Sequence, residues 1–253
     1  MKVSKEEKEK TRRKLVNSAV HVISKKGFRD ATMREIAERA KVADATIYKY
    51  FPTKETLLFA YFELRMDDLV EKLKGISDFH KYGFQEQLHV ILETSLENFA
   101  QDRNFVQIAY EGVFLTNWLA TAQGSKATKD RFFEIVDDLV TAAVEAGEFV
   151  EPPFKNFLYE LLWEYTIGIT YYWLKDESDN YTSTTQTIDK SLAVLDAALK
   201  GNILSKLVDL GQFLISEHLL SRIKAPEAER NFDIPKLKRK FMGKSKAMTD
   251  GQK

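Results

Sequence analysis

Apolar residues recur every three to four positions through almost the whole chain and nowhere alternate one in two over a useful length. That spacing puts each apolar set on one face of a helix and does not make a half-buried strand. No Asn-Gly hairpin signal and no internal repeat is present, so the expected fold class is all-α. Leu15, Ala19, Val22 and Ile23 carry a first helix over 6–26, with Gly27 as its stop. Thr32 precedes Glu35 by three residues, the spacing of a capping box, and Ile36, Ala37 and Ala40 form a short stripe behind it. A second short helix is expected over 43–50, with Val42 and Ile47 turned inward. Phe51-Pro52-Thr53 is a break, after which Thr53 caps a helix reaching about Gly75. Further helices are expected over 84–100, 105–122, 126–146, 154–174, 186–200 and 202–223, with a polar loop over 176–185.

Charge divides the chain unevenly. Of its 253 residues, 1–54 hold 15 Lys/Arg against 7 Asp/Glu, 55–221 hold 13 against 27, and 222–253 hold 10 against 4. A basic head on an acidic body suits an anionic partner for the head and not for the body, although a solvated charged surface reads the same way. The expected organisation is a head over 1–53, a helical body over 54–223 and a basic, disordered tail over 224–253. In the tail, the run Lys236-Leu237-Lys238-Arg239-Lys240 either touches an anionic surface or simply solubilises the chain. Zero cysteines exclude a disulfide scaffold, thiolate metal sites and a Cys nucleophile. The charged start has no apolar signal region, and Glu160 and Glu164 interrupt the best candidate span, so a cytoplasmic chain without a membrane partner is expected.

Three helices in the first 50 residues, the last two joined by the turn Lys41-Val42-Ala43, have the order of a helix-turn-helix. The second short helix is about 10 Å long at 1.5 Å per residue, enough to lay one end in a major groove about 12 Å wide. With Ile47 and Phe51 inward, Thr46, Lys49 and Tyr50 fall outward with Tyr48 beside them. Tyrosine hydroxyls and Thr32 can donate to phosphate, and the amides opening the Met33 and Lys54 helices are phosphate seats. Lys49 can reach a guanine edge, Ala45 and the Thr46 methyl can meet a thymine methyl, and Asp44 can accept from cytosine. Phosphate contacts would fix position and base contacts sequence. Each residue alone is equally an ordinary packing tyrosine or solvated charge; the run in order points to DNA.

Gly27-Phe28, then Thr32-Met33-Arg34-Glu35-Ile36-Ala37, then Val42 and Thr46-Ile47-Tyr48-Lys49-Tyr50-Phe51-Pro52-Thr53-Lys54-Glu55 resemble the N-terminal domain of TetR/AcrR-type transcriptional regulators. The resemblance covers roughly residues 10–60. It implies phosphate contacts at Thr32, Tyr48, Tyr50 and Lys54, base reading around 43–46 and at Lys49, and a helical body that binds an effector and dimerises. Two positions depart from the pattern: Lys41 stands where the family often has Gly, and Ala43 where it often has Ser, which removes the usual cap of the recognition helix.

In the body, Tyr110, Phe114, Trp118, Trp163 and Tyr165 either line an aromatic effector pocket or fill the core, with Asn98, Glu111, Asn117 and Thr166 as polar anchors if a pocket is there. Such a lining favours a flat or long apolar effector, a drug, lipid or acyl compound, over a sugar. The helix over 154–174 is apolar on nearly all sides and needs cover on more than one, from a second subunit or from deep burial. The resemblance makes it and 186–200 the dimer pair, through Phe157, Leu161, Tyr165, Ile169 and Tyr172 on one and Ile188, Leu192, Leu195 and Leu199 on the other. The four histidines are scattered, and no Gly-rich phosphate loop or Gly-x-Ser-x-Gly is present. No enzyme, metal or cofactor is therefore expected. The reading is a homodimeric repressor released from a double-stranded DNA operator by a small, largely apolar effector. The alternative is a non-catalytic helical protein whose basic head docks another protein or an anionic membrane.

Overall fold

A computed structural model describes residues 4–114, 116, 121, 123–153, 155–203, 206, 209, 210 and 213. Among them every regular element is helical: α1 (Lys5–Asp30), α2 (Met33–Arg39), α3 (Asp44–Tyr50), α4 (Lys54–Lys74), α5 (Phe84–Ala100), α6 (Arg103–Ala109), α7 (Lys126–Glu145), α8 (Lys155–Lys175) and α9 (Thr182–Lys200). The described residues from Ser4 to Ile203 belong to one compact unit. The expected helix over 202–223, all but a few of its residues, and the expected tail over 224–253 lie outside the described residues.

Local signals set the helix starts. Thr32 and Thr53 both close capping boxes: Thr32 Oγ1 accepts from the Glu35 amide at 3.2 Å and Thr53 Oγ1 from the Thr56 amide at 3.3 Å. Gly27 breaks α1 at φ 82°, ψ 164°, so the last turn of that element leaves the helix axis where the glycine allows it. The centre of the unit is α4. Leu57, Leu58, Phe59, Ala60, Tyr61, Phe62 and Leu64 are all buried, so the first half of this helix is covered on nearly every side, while Asp67, Glu71, Lys72 and Lys74 leave the second half a solvent face. α1, α5 and α7 pack on it. Tyr61 meets Phe105 of α6 edge-on at 4.7 Å between centroids, and Phe62 meets Phe99 of α5 at 5.8 Å.

Two elements differ from the expected pattern. The stretch over 105–122 is not one continuous α-helix. α6 ends at Ala109 and gives way to a π-helical turn, Tyr110–Phe114, in which the two end rings stack at 4.8 Å and 13°. The wider turn directs both rings toward Phe62 of α4. The expected loop over 176–185 is shorter than its polarity suggests, because α9 already begins at Thr182. Its start is held by the buried carboxylate of Asp176, which accepts from the Thr184 amide and hydroxyl at 2.8 and 2.6 Å and from the Ser178 amide and hydroxyl at 2.9 and 2.6 Å. The Ser178 and Thr184 hydroxyls, then the two amides, hold this carboxyl well below the usual range.

A carboxyl depressed in the folded state stabilises the fold above its unfolded pKa of about 3.9 and ceases to do so as pH falls through its folded value. Asp176→Ala is therefore expected to lower the thermal midpoint at pH 7 and to flatten its decline below about pH 4. Thermal denaturation of both proteins at pH 7 and pH 3, at one protein concentration, checks this; equal midpoints at pH 7 would remove the cap from the account.

Candidate DNA interface and effector cavity

α2 and α3 are seven residues each, and the turn between them is tight. Lys41 takes the left-handed region at φ 52°, the conformation for which glycine is suited and other residues are strained. Ile47 at 0% exposure and Phe51 at 5% anchor the inner face of α3, and Val42 packs partly buried against the same core. That anchoring leaves Asp44, Ala45, Tyr48 and Lys49 exposed on one outward surface, flanked by the half-buried Thr46 and Tyr50. Tyr48 is 54% exposed. Ala43 offers no side-chain cap, and Asp44 lies 4.0 Å from Arg34 Nε.

The other residues expected at this surface are placed differently. Thr32 is exposed, but its hydroxyl is engaged with Glu35. Met33 is buried, so its side chain belongs to the core. Lys54 turns inward. Its ammonium donates to the carbonyls of Phe28, Arg29 and Ala31 at 2.6, 3.0 and 2.7 Å, and lies 5.0 Å from the Phe28 ring centroid. An ammonium has three protons, and all three are used to tie the start of α4 to the end of α1. Arg12–Glu63 and Arg13–Asp68 pairs continue the same tie along both helices.

In the body, an apolar cavity of about 60 Å³ is enclosed by α4, α5, the π turn, α7 and α8. Of the residues expected around an effector, Tyr110, Phe114, Trp163 and Thr166 line it. Tyr165 instead bonds Ser191 at 2.6 Å, Asn98 does not reach the cavity, and Glu111 pairs with Lys175 at the surface at 2.6 Å. Asn117 and Trp118 lie outside the described residues. The α4 wall, Phe62, Arg65, Met66 and Leu69, was not anticipated, nor were Phe99, Thr128 and Thr170. Arg65 was the available signal, since it stands four residues after Tyr61 and four before Leu69 on an apolar stripe.

Of the residues expected at a dimer interface, Phe157, Leu161 and Tyr172 are exposed on α8, at 65%, 47% and 44%. Tyr165 and Leu195 are partly covered. Ile169, Ile188, Leu192 and Leu199 are buried within the chain itself, so their apolar surface is already covered without a second subunit. Val194, 71% exposed on α9, was not anticipated. Among the described residues no helix is long and apolar enough to cross a membrane, and no group of side chains is arranged to hold a metal ion.

Removing the Lys54 ammonium leaves three carbonyls without their donor. Lys54→Met is expected to destabilise the protein by about 2 kcal/mol, the scale of bonds to a charged group. Lys41→Gly, which relieves the left-handed lysine, is expected to stabilise it by about 1 kcal/mol. Urea denaturation of the two variants checks both signs; an unchanged Lys54→Met protein would contradict the inward placement of this side chain.

Comparison with known proteins agrees with this arrangement. Residues 15–61 match the family described as bacterial regulatory proteins, tetR family, and residues 87–214 the tetracyclin repressor-like C-terminal domain. The fatty acid metabolism regulator protein of Bacillus subtilis (strain 168) is 28% identical over 138 residues, covering 54% of this chain and 70% of that protein. The regulator BetI of Escherichia coli is 30% identical over 112 residues, 43% of this chain and 52% of its own. Among solved structures, the fatty acid degradation regulator FadR of Bacillus halodurans superposes with a TM-score of 0.56 at 22% identity, covering 72% of this chain and 93% of that one. FadR of Bacillus subtilis in complex with stearoyl-CoA gives 0.57 at 22% identity over 71% and 96%. At those identities the structures share the fold. The two domain matches, one over the exposed α3 surface and one over the cavity-bearing body, show that the chain belongs to the TetR family of helix-turn-helix, DNA-binding transcriptional regulators.

Proposed function

We propose that the protein is a homodimeric repressor that leaves its operator when a long-chain acyl compound, such as an acyl-CoA, enters the body. The observation that carries this reading is the course of α4. It starts at the Thr53 cap directly after α3, is tied there to α1 by Lys54, and lines the cavity about two to four turns later with Phe62, Arg65, Met66 and Leu69. A ligand that moves this wall moves the support of the recognition helix. It can do so only by binding one arrangement better than the other.

The acyl class rests on two supports. The cavity lining is aromatic and aliphatic with few polar groups. A relative that covers over half of this chain is named for fatty acid metabolism, and a structural neighbour was solved with stearoyl-CoA. The dimer rests on the exposed stripe Phe157, Leu161 and Tyr172 of α8 with Val194 of α9, since monomers rarely leave such a row open. A two-fold pair of α3 helices then meets half-sites about one DNA turn apart. On α3, Lys49 and Ala45 read bases, Asp44 sits beside them, and Tyr48, Thr46 and Tyr50 contact backbone and groove edge.

Footprinting on the DNA upstream of the protein's own gene and on a selected random-sequence pool tests this. A protected, nearly palindromic site is expected, with steep salt dependence. Lys49→Ala is expected to change the preferred sequence, Tyr48→Phe to weaken binding evenly across sequences, and Leu161→Glu to yield monomers that no longer protect the site. A folded dimer that selects no duplex even at low salt would reverse the reading in favour of a head that docks another protein.

A further inference from the structure

The cavity wall contains two buried donors that the protein leaves unused. Five serine and threonine side chains line it. Ser95, Ser125, Thr166 and Thr170 each donate back to the carbonyl four residues earlier, at 2.6 to 2.8 Å, and so are satisfied within their own backbone. Thr128 is the exception: its Oγ1 is buried and has no partner. Among the described residues Arg65 is the one charged side chain of the lining. Its Nη2 meets Asp68 at 2.9 Å and its guanidinium lies 5.3 Å from the Tyr61 ring, yet its Nε is buried without a partner. Buried polar groups are almost always paired, and two orphans on the wall of one small apolar cavity mark a place for a ligand atom.

The chemistry of that atom is constrained. Arg65 Nε can only donate, and a hydroxyl oxygen can donate too, so an atom shared by both is an acceptor. The surroundings, Phe62, Phe99, Phe132 and Trp163, suit an apolar remainder. A volume of about 60 Å³ is less than half of the roughly 150 Å³ that admits benzene. The space as it stands therefore takes a group about the size of a carboxyl, and a longer ligand would require the lining to move.

On the acyl reading of the effector, we propose that Arg65 Nε and Thr128 Oγ1 together bind the acyl oxygen, the carbonyl of a thioester or the carboxylate of a free acid. These two residues are then the specificity determinants that make the site select acyl compounds rather than any hydrocarbon of the right length. The same guanidinium is paired through Nη2 with Asp68, which also lies 3.6 Å from Arg13 of α1, so the ligand oxygen would sit on a group connected to the DNA-binding head.

Calorimetric titration of the full-length protein with dodecanoic acid and with dodecanoyl-CoA tests this, on wild type, Thr128→Val, Thr128→Ser and Arg65→Met. Thr128→Val keeps the side-chain shape and removes only the hydroxyl. It is expected to bind about 3- to 10-fold more weakly, the scale of one hydrogen bond, while its thermal midpoint stays level or rises because a buried orphan is gone. Thr128→Ser, which retains the hydroxyl, is expected within about twofold of wild type, and Arg65→Met to lose more than about tenfold. A larger Arg65→Met loss for the acid than for the thioester identifies a carboxylate as the bound group; equal losses identify the carbonyl. If wild type binds and Thr128→Val binds equally well, the donor pair is refuted whatever Arg65→Met does. If wild type binds neither probe, the acyl reading itself falls and this assignment with it, a failure visible in the wild-type titration alone.

Discussion

Burial of the first half of α4, over 57–64, is the constraint around which the rest of the molecule is arranged. Leu57, Leu58, Tyr61 and Leu64 are at most 1% exposed, and each such side chain stabilises the fold by about 1.5–3 kcal/mol over leaving it in water. A segment with so little free surface cannot shift alone, because its neighbours are packed at crystal-like density. On the proposed function, a displacement of its cavity-lining turns is passed to α1 and to the end of α3. The alternative, a segment with one solvent face, would absorb a small shift at no cost to its neighbours.

Polar contacts decide which parts of that core move together. Lys54 closes the end of α1, and the Arg12–Glu63 and Arg13–Asp68 pairs run alongside. Partly exposed ion pairs contribute little stability individually, so their weight here is in fixing the register of α1 on α4. Asp68 has a second role by position, because it stands between Arg13 and Arg65. The charge asymmetry of the sequence belongs to the same picture. Its basic segment carries the exposed α3 surface and its acidic segment forms the body, a division that suits an anionic partner for the first and not for the second.

How much of this was legible in the sequence depended on range. The Thr32 and Thr53 boxes were readable because cap and partner are three residues apart, and α5 begins and ends as its stripe predicts. The exposed face of α3 followed from Ile47 and Phe51 alone. Asp176 was not readable as a cap, because its second partner lies eight residues on and the Ser/Thr-rich stretch between them has weak helix propensity. The π turn was hidden because a widened turn keeps the composition of an α-helix. The tie of Lys54 to α1 was not readable either: a lysine at a helix start suggests a phosphate ligand, and its carbonyl partners lie 23–26 residues earlier. On α9 the apolar stripe was visible, but a stripe does not say whether a core or a second subunit covers it.

The central claim is that one buried helix couples the DNA surface to the cavity. The most direct test is reciprocity, since two sites that share a coupling energy must change each other's affinity by one factor. Affinity for the footprinted operator is measured with and without saturating dodecanoyl-CoA, and affinity for dodecanoyl-CoA with the protein free and operator-bound. The account predicts that the ligand weakens operator binding and that the operator weakens ligand binding by the same factor, tenfold or more by the scale of about 1–3 kcal/mol typical of such coupling. Ligand affinity that is identical on free and operator-bound protein would contradict it.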